Sequence, residues 1–435
     1  MTNITSVQAY QIFDSRGHPT IEVEITLGDG TRGRGLVPSG ASTGQYEAHE
    51  LRDGDPKRYR GRSIFRAIEH VQGQIADAVR SRDVMDQRGL DTLMIDLDGT
   101  PNKSRLGANA ILGVSLAAAD AAARARGVPL YEHLGHGTGT LLPLPEIQLI
   151  GGGAHSHWRI DVQDFLLIAT GARSYAESLE ITHNVYCALG ELFARRGQRC
   201  GVADEGGYWP TFDRNHEALD LCVEAIQHAG YTPGQDAAIS LDIAASDLYD
   251  ADRQRYTFAL EKREFTSDEF ADLMADWTRR YPIISIEDPL ADTDWSGWQR
   301  FRGKTSNRLQ IIGDDLFTTN VARIREGIRR GVANAVLIKL NQIGTVSETL
   351  DAIRLTQEAG WLPVVSARSG ETEDAFIAHL AVATNSGQLK VGSFARSERM
   401  AKWNEVLRIA RRLGDRARFI GARLYDAFDR LAPGD

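Results

Sequence analysis

The sequence predicts an α/β protein in which an N-terminal α+β domain is followed by a barrel of the (β/α)8, or TIM, type. The first part of the chain opens with an alternating strand and continues in helical stretches, which is typical of an α+β domain. The longer second part alternates short apolar runs with helical segments, which is typical of βα units and of a parallel sheet. Six to eight such units favour a closed barrel over an open sheet, and no glycine-rich dinucleotide loop follows the first strand.

The elements of the first domain follow from hydrophobic periodicity. Residues 20–27, TIEVEITL, alternate with a period of two and predict a strand that ends in a Gly-Asp-Gly turn. Apolar residues at helical spacing predict a helix over 65–75, and an alanine-rich stretch predicts a second helix over 106–126. Strands followed by helices, without alternation, predict an α+β domain.

The second domain begins after a glycine- and threonine-rich segment at 135–139. We therefore predict domains of residues 1–135 and 136–435. The apolar runs that predict the barrel strands are PLPEIQLI, DFLLIA, AAISLD, PIISIED, LQIIGDD, AVLIKL, LPVVSARS and QLKVGS.

Composition and charge disfavour several classes of function. The net charge of −9 disfavours binding to nucleic acid or to an anionic membrane surface. The three cysteines form no CxxC motif, which favours a reducing compartment over a disulfide framework or a zinc site. The N-terminus lacks an apolar signal core, and the alanine-rich stretch is too short and too polar to span a bilayer. We expect a cytoplasmic protein with neither a nucleic-acid nor a membrane partner.

Ionic side chains stand at the ends of successive predicted strands. Three acids are followed by three bases, each about one βα unit from the next: Asp242, Glu287, Asp314, Lys339, Arg368 and Lys390. The carboxyl ends of barrel strands meet at one mouth, where the active sites of TIM barrels lie. We therefore expect these six groups to converge there.

The types of these groups predict a chemistry. Three carboxylates without thiolate or imidazole suit Mg²⁺, and without a cation they would repel one another. Two lysines and an arginine beside the metal predict a pocket for a small polyanion, with Arg368 as the bidentate partner of a phosphoryl group. Surrounding cations disfavour the ammonium form of a lysine, so that it can act as a base. A metal and a base together predict proton abstraction next to a carboxylate.

Ten sequence blocks, in order along most of the chain, resemble the enolase family. They are DSRGHPT (14–20), PSGASTG (38–44), LRDGD (51–55), DLDGTPNKS (96–104), LGANAILGVSLA (106–117), ADEGGY (203–208), SIEDPL (285–290), GDDLFTTN (313–320), KLNQIGT (339–345) and RSGETED (368–374). The resemblance implies an N-terminal domain that caps a modified (β/α)8 barrel, and a homodimer. It also implies dehydration of 2-phosphoglycerate to phosphoenolpyruvate with two Mg²⁺ ions, one structural and one that arrives with the substrate.

The resemblance also implies roles for single residues, carried over by position. Lys339 would remove the α-proton, Glu205 would protonate the departing hydroxide, and Asp164 would pair with Glu205. The ligands of the first metal would be Asp242, Glu287 and Asp314, and Ser39 would bind the second. The substrate contacts would be His155, Gln163, Arg368, Ser369 and Lys390.

Three departures from the family pattern fall on the leaving-group and phosphoryl side of the predicted pocket. Ala367 stands where the family has a histidine, and Asp164 stands where it has a glutamate. The loop 151–159, GGGAHSHWR, lacks two acids of the family loop and adds Arg159. More space and more positive charge predict a substrate larger or more anionic than 2-phosphoglycerate. This favours a specialised paralogue, and carboxyphosphonoenolpyruvate synthase, with a phosphonate substrate, is the alternative that fits.

Two further hypotheses stay open. One is a catalytically weakened binding protein with the enolase fold, which the intact Lys339, Glu205 and carboxylate triad disfavour. The other is a barrel lyase that acts on sugar acids, which the Arg-Ser pair and the PSGASTG loop disfavour because they suit a phosphorylated substrate. Metal titration distinguishes the first of these from an enzyme.

Overall fold

The structure, a computed structural model, describes residues 2–41, 43–198 and 200–430. Its first part contains an antiparallel sheet in the order β1-β2-β3, formed by β1 (Ile4–Phe13), β2 (Pro19–Leu27) and β3 (Arg32–Leu36). The helices are α1 (Phe65–His70), α2 (Ala76–Val79), α3 (Gln87–Asp98), α4 (Ala108–Ala125) and α5 (Leu130–Leu134). A 3-10 helix, Tyr59–Gly61, precedes α1, and a π-helical turn, Val71–Ile75, joins α1 to α2.

The alanine-rich helix α4 packs backbone to backbone against β3. A Cβ added at Gly35 would lie 2.6 Å from the carbonyl oxygen of Gly113 and 2.6 Å from Cβ of Leu116. Glycine in the strand and small residues in the helix therefore permit this close approach. The sequence predicts α4 and β2 but not β1, in which the exposed Tyr10 and Phe13 are apolar and so blur the alternation.

The second part of the chain contains eleven strands and nine α-helices in its described residues. The strands are β4 (Leu144–Gly151), β5 (Asp164–Ile168), β6 (Ala238–Asp242), β7 (Tyr249–Asp250), β8 (Arg255–Phe258), β9 (Arg263–Phe265), β10 (Ile283–Glu287), β11 (Gln310–Gly313), β12 (Ala335–Ile338), β13 (Leu362–Ser366) and β14 (Gln388–Gly392). The α-helices are α6 (Tyr175–Arg195), α7 (His216–His228), α8 (Ser267–Arg280), α9 (Trp295–Lys304), α10 (Val321–Arg330), α11 (Leu340–Ile343), α12 (Val346–Glu358), α13 (Phe376–Ala383) and α14 (Ser397–Leu413). The 3-10 helices are Gly153–Ser156, Ala245–Leu248, Gly414–Arg416 and Gly421–Arg430.

Eight of these strands close into a barrel, and β7, β8 and β9 form a small antiparallel sheet outside it. Each of the eight predicted apolar runs supplies one barrel strand, which confirms the predicted α/β barrel. The expectation of a fully parallel sheet is wrong at β5, which pairs antiparallel with both β4 and β6. The connection from β4 to β5 carries only a 3-10 helix, whereas a parallel return needs a longer crossover, usually through an α-helix. The barrel is therefore the modified form.

The 3-10 helix Gly421–Arg430 covers the amino end of the barrel. Leu424, Tyr425 and Phe428 pack there against Leu144, which begins β4, and Leu362, which begins β13. The mouth at the carboxyl ends of the strands lies opposite. The proposed domain boundary between residues 135 and 136 falls between α5 and β4 and stays a prediction. In the described part of the chain, no helix combines the length and the hydropathy needed to cross a membrane.

Candidate active site

The six ionic groups predicted at strand ends converge at the mouth of the barrel. Asp242 and Glu287 are the last residues of β6 and β10, and Asp314 and Lys339 directly follow β11 and β12. Five of these six groups line a cavity of about 30 Å³. The predicted site residues that line it are His155, Gln163, Asp164, Glu205, Asp242, Asp314, Lys339, Arg368, Ser369 and Lys390. Glu287 and Ser39 lie outside this lining.

Lys390 holds two of the carboxylates together. Its Nζ lies 2.9 Å from Asp242 Oδ2 and 2.7 Å from Glu287 Oε2. Burial lowers the pKa of the Lys390 ammonium, but the two carboxylates outweigh burial and raise the pKa well above its usual value. Gln163 Nε2 donates a hydrogen bond of 3.0 Å to the same oxygen of Asp242. Lys390 is therefore a fixed cation in contact with the acidic side of the site.

Lys339 forms the second contact between a lysine and an acid. Its Nζ lies 2.5 Å from Asp314 Oδ2, and Gln342 Nε2 donates to Asp314 Oδ1 at 2.8 Å. Burial and the neighbouring Arg368 lower the pKa of Lys339, but Asp314 outweighs them and the pKa is raised. The nearby cations Arg368 and Lys390 act to lower the pKa, as expected, but the carboxylates raise it by more, so the ammonium form is favoured in this state.

His155, Asp164 and Glu205 form a second cluster. His155 Nδ1 lies 3.0 Å from Asp164 Oδ1, and Nε2 lies 3.9 Å from Glu205 Oε1. Because β5 is antiparallel, Asp164 reaches the mouth as the first residue of its strand. Burial disfavours the imidazolium of His155, but Asp164 and Glu205 outweigh burial and raise its pKa to about 9. His155 is thus an imidazolium at neutral pH between two carboxylates.

The pKa values of the two carboxylates in this cluster are shifted in opposite directions. Burial raises the pKa of Asp164, and His155 only partly offsets it. Burial also acts to raise the pKa of Glu205, but His155, Arg399 and the two lysines together lower it. Glu205 is therefore a carboxylate in this state, so a role as proton donor requires that it first receives a proton.

Arg368 lies on the other flank of the mouth and is bonded to an acid from the first domain. Its NH1 lies 3.0 Å from Glu47 Oε2, and its NH2 donates to Glu47 Oε1 at 3.1 Å. NH1 also donates to Asn341 Oδ1 at 2.9 Å. The neighbouring Ser369 Oγ accepts a hydrogen bond of 2.7 Å from the backbone N–H of Ala41.

Ser39 sits where the first domain touches the barrel. Its backbone pairs with that of Gly370 through hydrogen bonds of 2.8 and 2.9 Å. Its Oγ donates to Glu50 Oε2 at 3.0 Å and accepts from Arg52 NH2 at 3.1 Å. The structure therefore places Ser39 beside the mouth but not in contact with the other predicted metal ligands.

The donor chemistry around Asp242, Glu287 and Asp314 fits a hard divalent cation. All the donors are carboxylate oxygens, and Glu287 Oε1 is buried without a hydrogen-bond partner in the described residues. The described residues contain two groups whose ligand atoms all lie within 4.8 Å of one another: His155 with Asp164 and Glu205, and Asp288 with Asp314 and Asp315. The predicted triad is not one of them, and its carboxylates contact Lys390 and Lys339 instead.

Of the departures from the family pattern, Ala367 lies in the cavity and Arg159 lies outside it. Ala367 is buried and lines the cavity. Arg159 does not line it. Its guanidinium lies 4.7 Å from the centre of the Trp209 ring, and NH1 donates to the Trp209 carbonyl at 3.2 Å. The prediction of a more cationic loop stays a prediction, and Arg159 does not bring its charge into the cavity.

The family models of the enolase N-terminal domain and of the enolase C-terminal TIM barrel domain match residues 4–134 and 139–427. A curated relative, Enolase 1 of Desulfitobacterium hafniense (strain Y51), is 56% identical over 425 residues, which cover 98% of this chain and 97% of the relative. The chain belongs to the enolase family. Its capping domain and modified barrel agree with the fold that the resemblance implies.

Sequence reasoning missed several residues that shape this enolase site. The fully buried Arg399 of α14 donates to the carbonyls of Arg368 at 2.5 Å and Ser369 at 2.6 Å. Gln148 of β4 donates to Asp164 and accepts from the Gly207 backbone. No sequence pattern indicates Arg399, because its helix lies in a later part of the chain than the strands that form the site. Gln148 could have been found from the alternation of β4, which turns it inward with Glu146.

Proposed function

We propose that this protein is a Mg²⁺-dependent enolase that dehydrates 2-phosphoglycerate to phosphoenolpyruvate. The observation that carries the proposal is one cavity lined by two lysines, an arginine, several carboxylates and an imidazolium. These are the groups that abstraction of a carbon-bound proton, phosphoryl binding and loss of hydroxide require. The relationship to Enolase 1 over nearly the whole chain supports the same reaction.

In this proposal Lys339 is the base. It accepts the α-proton at Nζ, which requires the neutral amine. The carboxylate of Asp314 at 2.5 Å favours the ammonium instead. We therefore propose that Lys339 and Asp314 separate before the chemical step, and Asp314 would then be free to serve as one of the residues that hold Mg²⁺. When bound, Mg²⁺ supplies stabilisation of the negative charge that develops on the substrate carboxylate.

The cluster of His155, Asp164 and Glu205 serves the departing hydroxide. Asp164 fixes His155 through Nδ1, and Gln148 in turn bonds to Asp164. The protonated Nε2 faces Glu205 at 3.9 Å, so His155 can deliver the proton that Glu205 needs as a general acid. Asp164 is therefore a positioning residue, and Glu205 is the acid.

The remaining predicted residues would bind the metal ions or the substrate. Asp242, Glu287 and Asp314 would hold the first Mg²⁺, and the second, arriving with the substrate, would need Ser39. The substrate contacts would be His155, Gln163, Arg368, Ser369 and Lys390. The homodimer, the cytoplasmic location and the small phosphorylated substrate belong to the same proposal.

The test is turnover of 2-phosphoglycerate by the purified protein with Mg²⁺, followed through the absorbance of the enol. We expect a kcat within the range of about 1–10³ s⁻¹ that is usual for enzymes. A folded, Mg²⁺-binding protein whose turnover lies far below that range would contradict the proposal and favour the specialised paralogue. In that case Ala367→His should raise the residual activity, and no gain would mean that Ala367 is not the cause of the divergence.

The alternative of carboxyphosphonoenolpyruvate synthase stays a prediction without support from the comparisons. The observation that bears on it is the lining of the cavity, which includes Ala367 but not Arg159. The hypotheses of a weakened binding protein and of a sugar-acid lyase are tested by the same assay together with Mg²⁺ titration.

A further inference from the structure

Glu47 stands where a bound anion would meet Arg368. Both oxygens of its carboxylate contact the guanidinium, at 3.0 and 3.1 Å, in the two-pronged geometry by which arginine binds phosphate. The pair is almost fully enclosed, since the Arg368 side chain is 3% exposed and that of Glu47 is 9% exposed. A buried pair of this kind is costly to break when one partner is left without a counter-charge.

Two cavities of very different volume adjoin this pair. The cavity that Arg368 lines, at the mouth, measures about 30 Å³ and holds about one water molecule, so a phosphorylated three-carbon acid does not fit. Glu47 lines a second cavity of about 350 Å³, together with His49, Asn102 and Asn341. The carboxylate of Glu47 thus has a polar space to enter when it leaves Arg368.

We propose that Glu47 is an internal competitor for the phosphoryl site, so that substrate binds by exchanging its phosphoryl group for the Glu47 carboxylate on Arg368. This inference rests on the proposed function only in taking Arg368 as the phosphoryl contact. The exchange keeps the guanidinium paired before and after binding, which avoids the cost of an unpaired buried charge. It also makes Glu47 a determinant of substrate affinity that does not itself touch the reacting atoms.

The exchange predicts a particular pattern of affinities. The free energy spent on moving Glu47 away is the same for every anion that takes its place, so removing it tightens all such anions by one common factor. A residue that touched the ligand directly would instead change the affinities of different anions by different factors. The pattern therefore separates a competitor from a contact.

The experiment titrates inorganic phosphate and sulfate into the protein by calorimetry at pH 8. We expect Glu47→Gln to bind both anions about 10- to 100-fold more tightly than the wild type, the scale of hydrogen bonds to charged groups. The two factors should agree within error. Arg368→Gln should bind neither anion, which places the probes at this guanidinium.

Glu348→Gln is the matched control. Glu348 also joins the barrel to the first domain, through a contact of 3.0 Å with Lys103, and does not touch Arg368. This variant should bind phosphate as the wild type does. Glu47→Asp keeps the charge but shortens the side chain by one methylene, so it should tighten binding by a smaller factor and serves if Glu47→Gln does not fold.

The outcomes distinguish this inference from the proposed function. Phosphate binding that is unchanged or weaker in Glu47→Gln, or tightening by unequal factors for the two anions, would overturn the inference even if the protein turns over 2-phosphoglycerate. Absence of turnover with the expected phosphate pattern would overturn the proposed function and leave the competitor role standing. If both hold, the KM for 2-phosphoglycerate should fall in Glu47→Gln by the same factor as the phosphate dissociation constant.

Discussion

Each acid that the proposed mechanism assigns to the first metal is bonded to a lysine in this structure. Lys390 contacts Asp242 and Glu287, and Lys339 contacts Asp314. The ammonium groups offset the repulsion that three converging carboxylates would otherwise suffer. In the proposed mechanism these carboxylates would exchange lysine partners for Mg²⁺, with Lys390 remaining a cation and Lys339 serving as the base.

The base is the first residue to test. Lys339→Ala should lower turnover by about 10²–10⁴-fold, because proton transfer by a positioned side chain contributes a factor of this size. The measurement is the steady-state rate with saturating Mg²⁺. Lys304→Ala, which removes an exposed lysine of α9 that pairs with Asp272, is the control and should leave the rate unchanged. A Lys339→Ala protein with wild-type turnover would contradict the mechanism.

The second residue to test is His155, whose side chain is an imidazolium. Its folded pKa of about 9 lies above the usual value of 6.5, so the ionised pair stabilises the fold fully below about pH 6.5 and loses that contribution as the pH rises through about 9. The shift corresponds to roughly 3 kcal/mol. NMR titration of the histidine rings, with His155→Gln to assign the signal, should show this pKa. A His155 signal that titrates near 6.5 would contradict it.

For single residues, the sequence predicts the site groups that stand at the ends of barrel strands. Asp242, Glu287 and Lys339 follow apolar runs directly, and the rule that barrel strands end at one mouth is enough to bring them together. Glu47 and Arg399 could not be predicted in this way. Their contacts with the site depend on how the first domain and α14 pack on the barrel, which local patterns do not encode.

Among the elements, β5 and the connection that precedes it contribute most to the site. The segment from the 3-10 helix Gly153–Ser156 to the start of β5 supplies His155, Gln163 and Asp164. The apolar run DFLLIA predicts a buried strand, but periodicity has no sign and cannot tell an antiparallel strand from a parallel one. The reversed direction turns the first residue of β5, rather than its last, toward the chemistry.

The contact between β3 and α4 gives a test of the first domain. Gly35→Ala should lower the free energy of unfolding by at least about 2 kcal/mol, because the new Cβ would lie 2.6 Å from the Gly113 carbonyl and neither backbone can yield easily. Gly303→Ala, in α9 with open space around it, is the control and should be neutral or stabilising by up to about 1 kcal/mol. Equal denaturation midpoints for Gly35→Ala and the wild type would refute the close packing.

For the whole molecule, the site lies where the two domains meet. Ser39 pairs with Gly370 through the backbone, and Glu47 pairs with Arg368 through side chains. A two-domain architecture is visible in the sequence because the pattern of elements changes near residue 135. The contacts across the interface are not visible, because they join residues about 300 positions apart, beyond any local periodicity.

Removal of Mg²⁺ tests whether the metal stabilises the molecule as a whole. Mg²⁺ at about 100 times its dissociation constant should stabilise the protein by about 2.7 kcal/mol, and a chelator should reverse the gain. The measurement is the Tm at several Mg²⁺ concentrations. Asp242→Asn should abolish most of the shift, whereas Asp351→Asn, at an exposed ion pair with Arg88, should keep it. A Tm independent of Mg²⁺ would favour the hypothesis of a binding protein without catalysis.

The C-terminal 3-10 helix closes the amino end of the barrel with Leu424, Tyr425 and Phe428. The barrel interior is a packed core and not a pore, so the covered amino end offers no route to the site. In the proposed reaction, 2-phosphoglycerate and phosphoenolpyruvate would therefore share the opposite mouth, and bound product would have to leave before the next substrate binds.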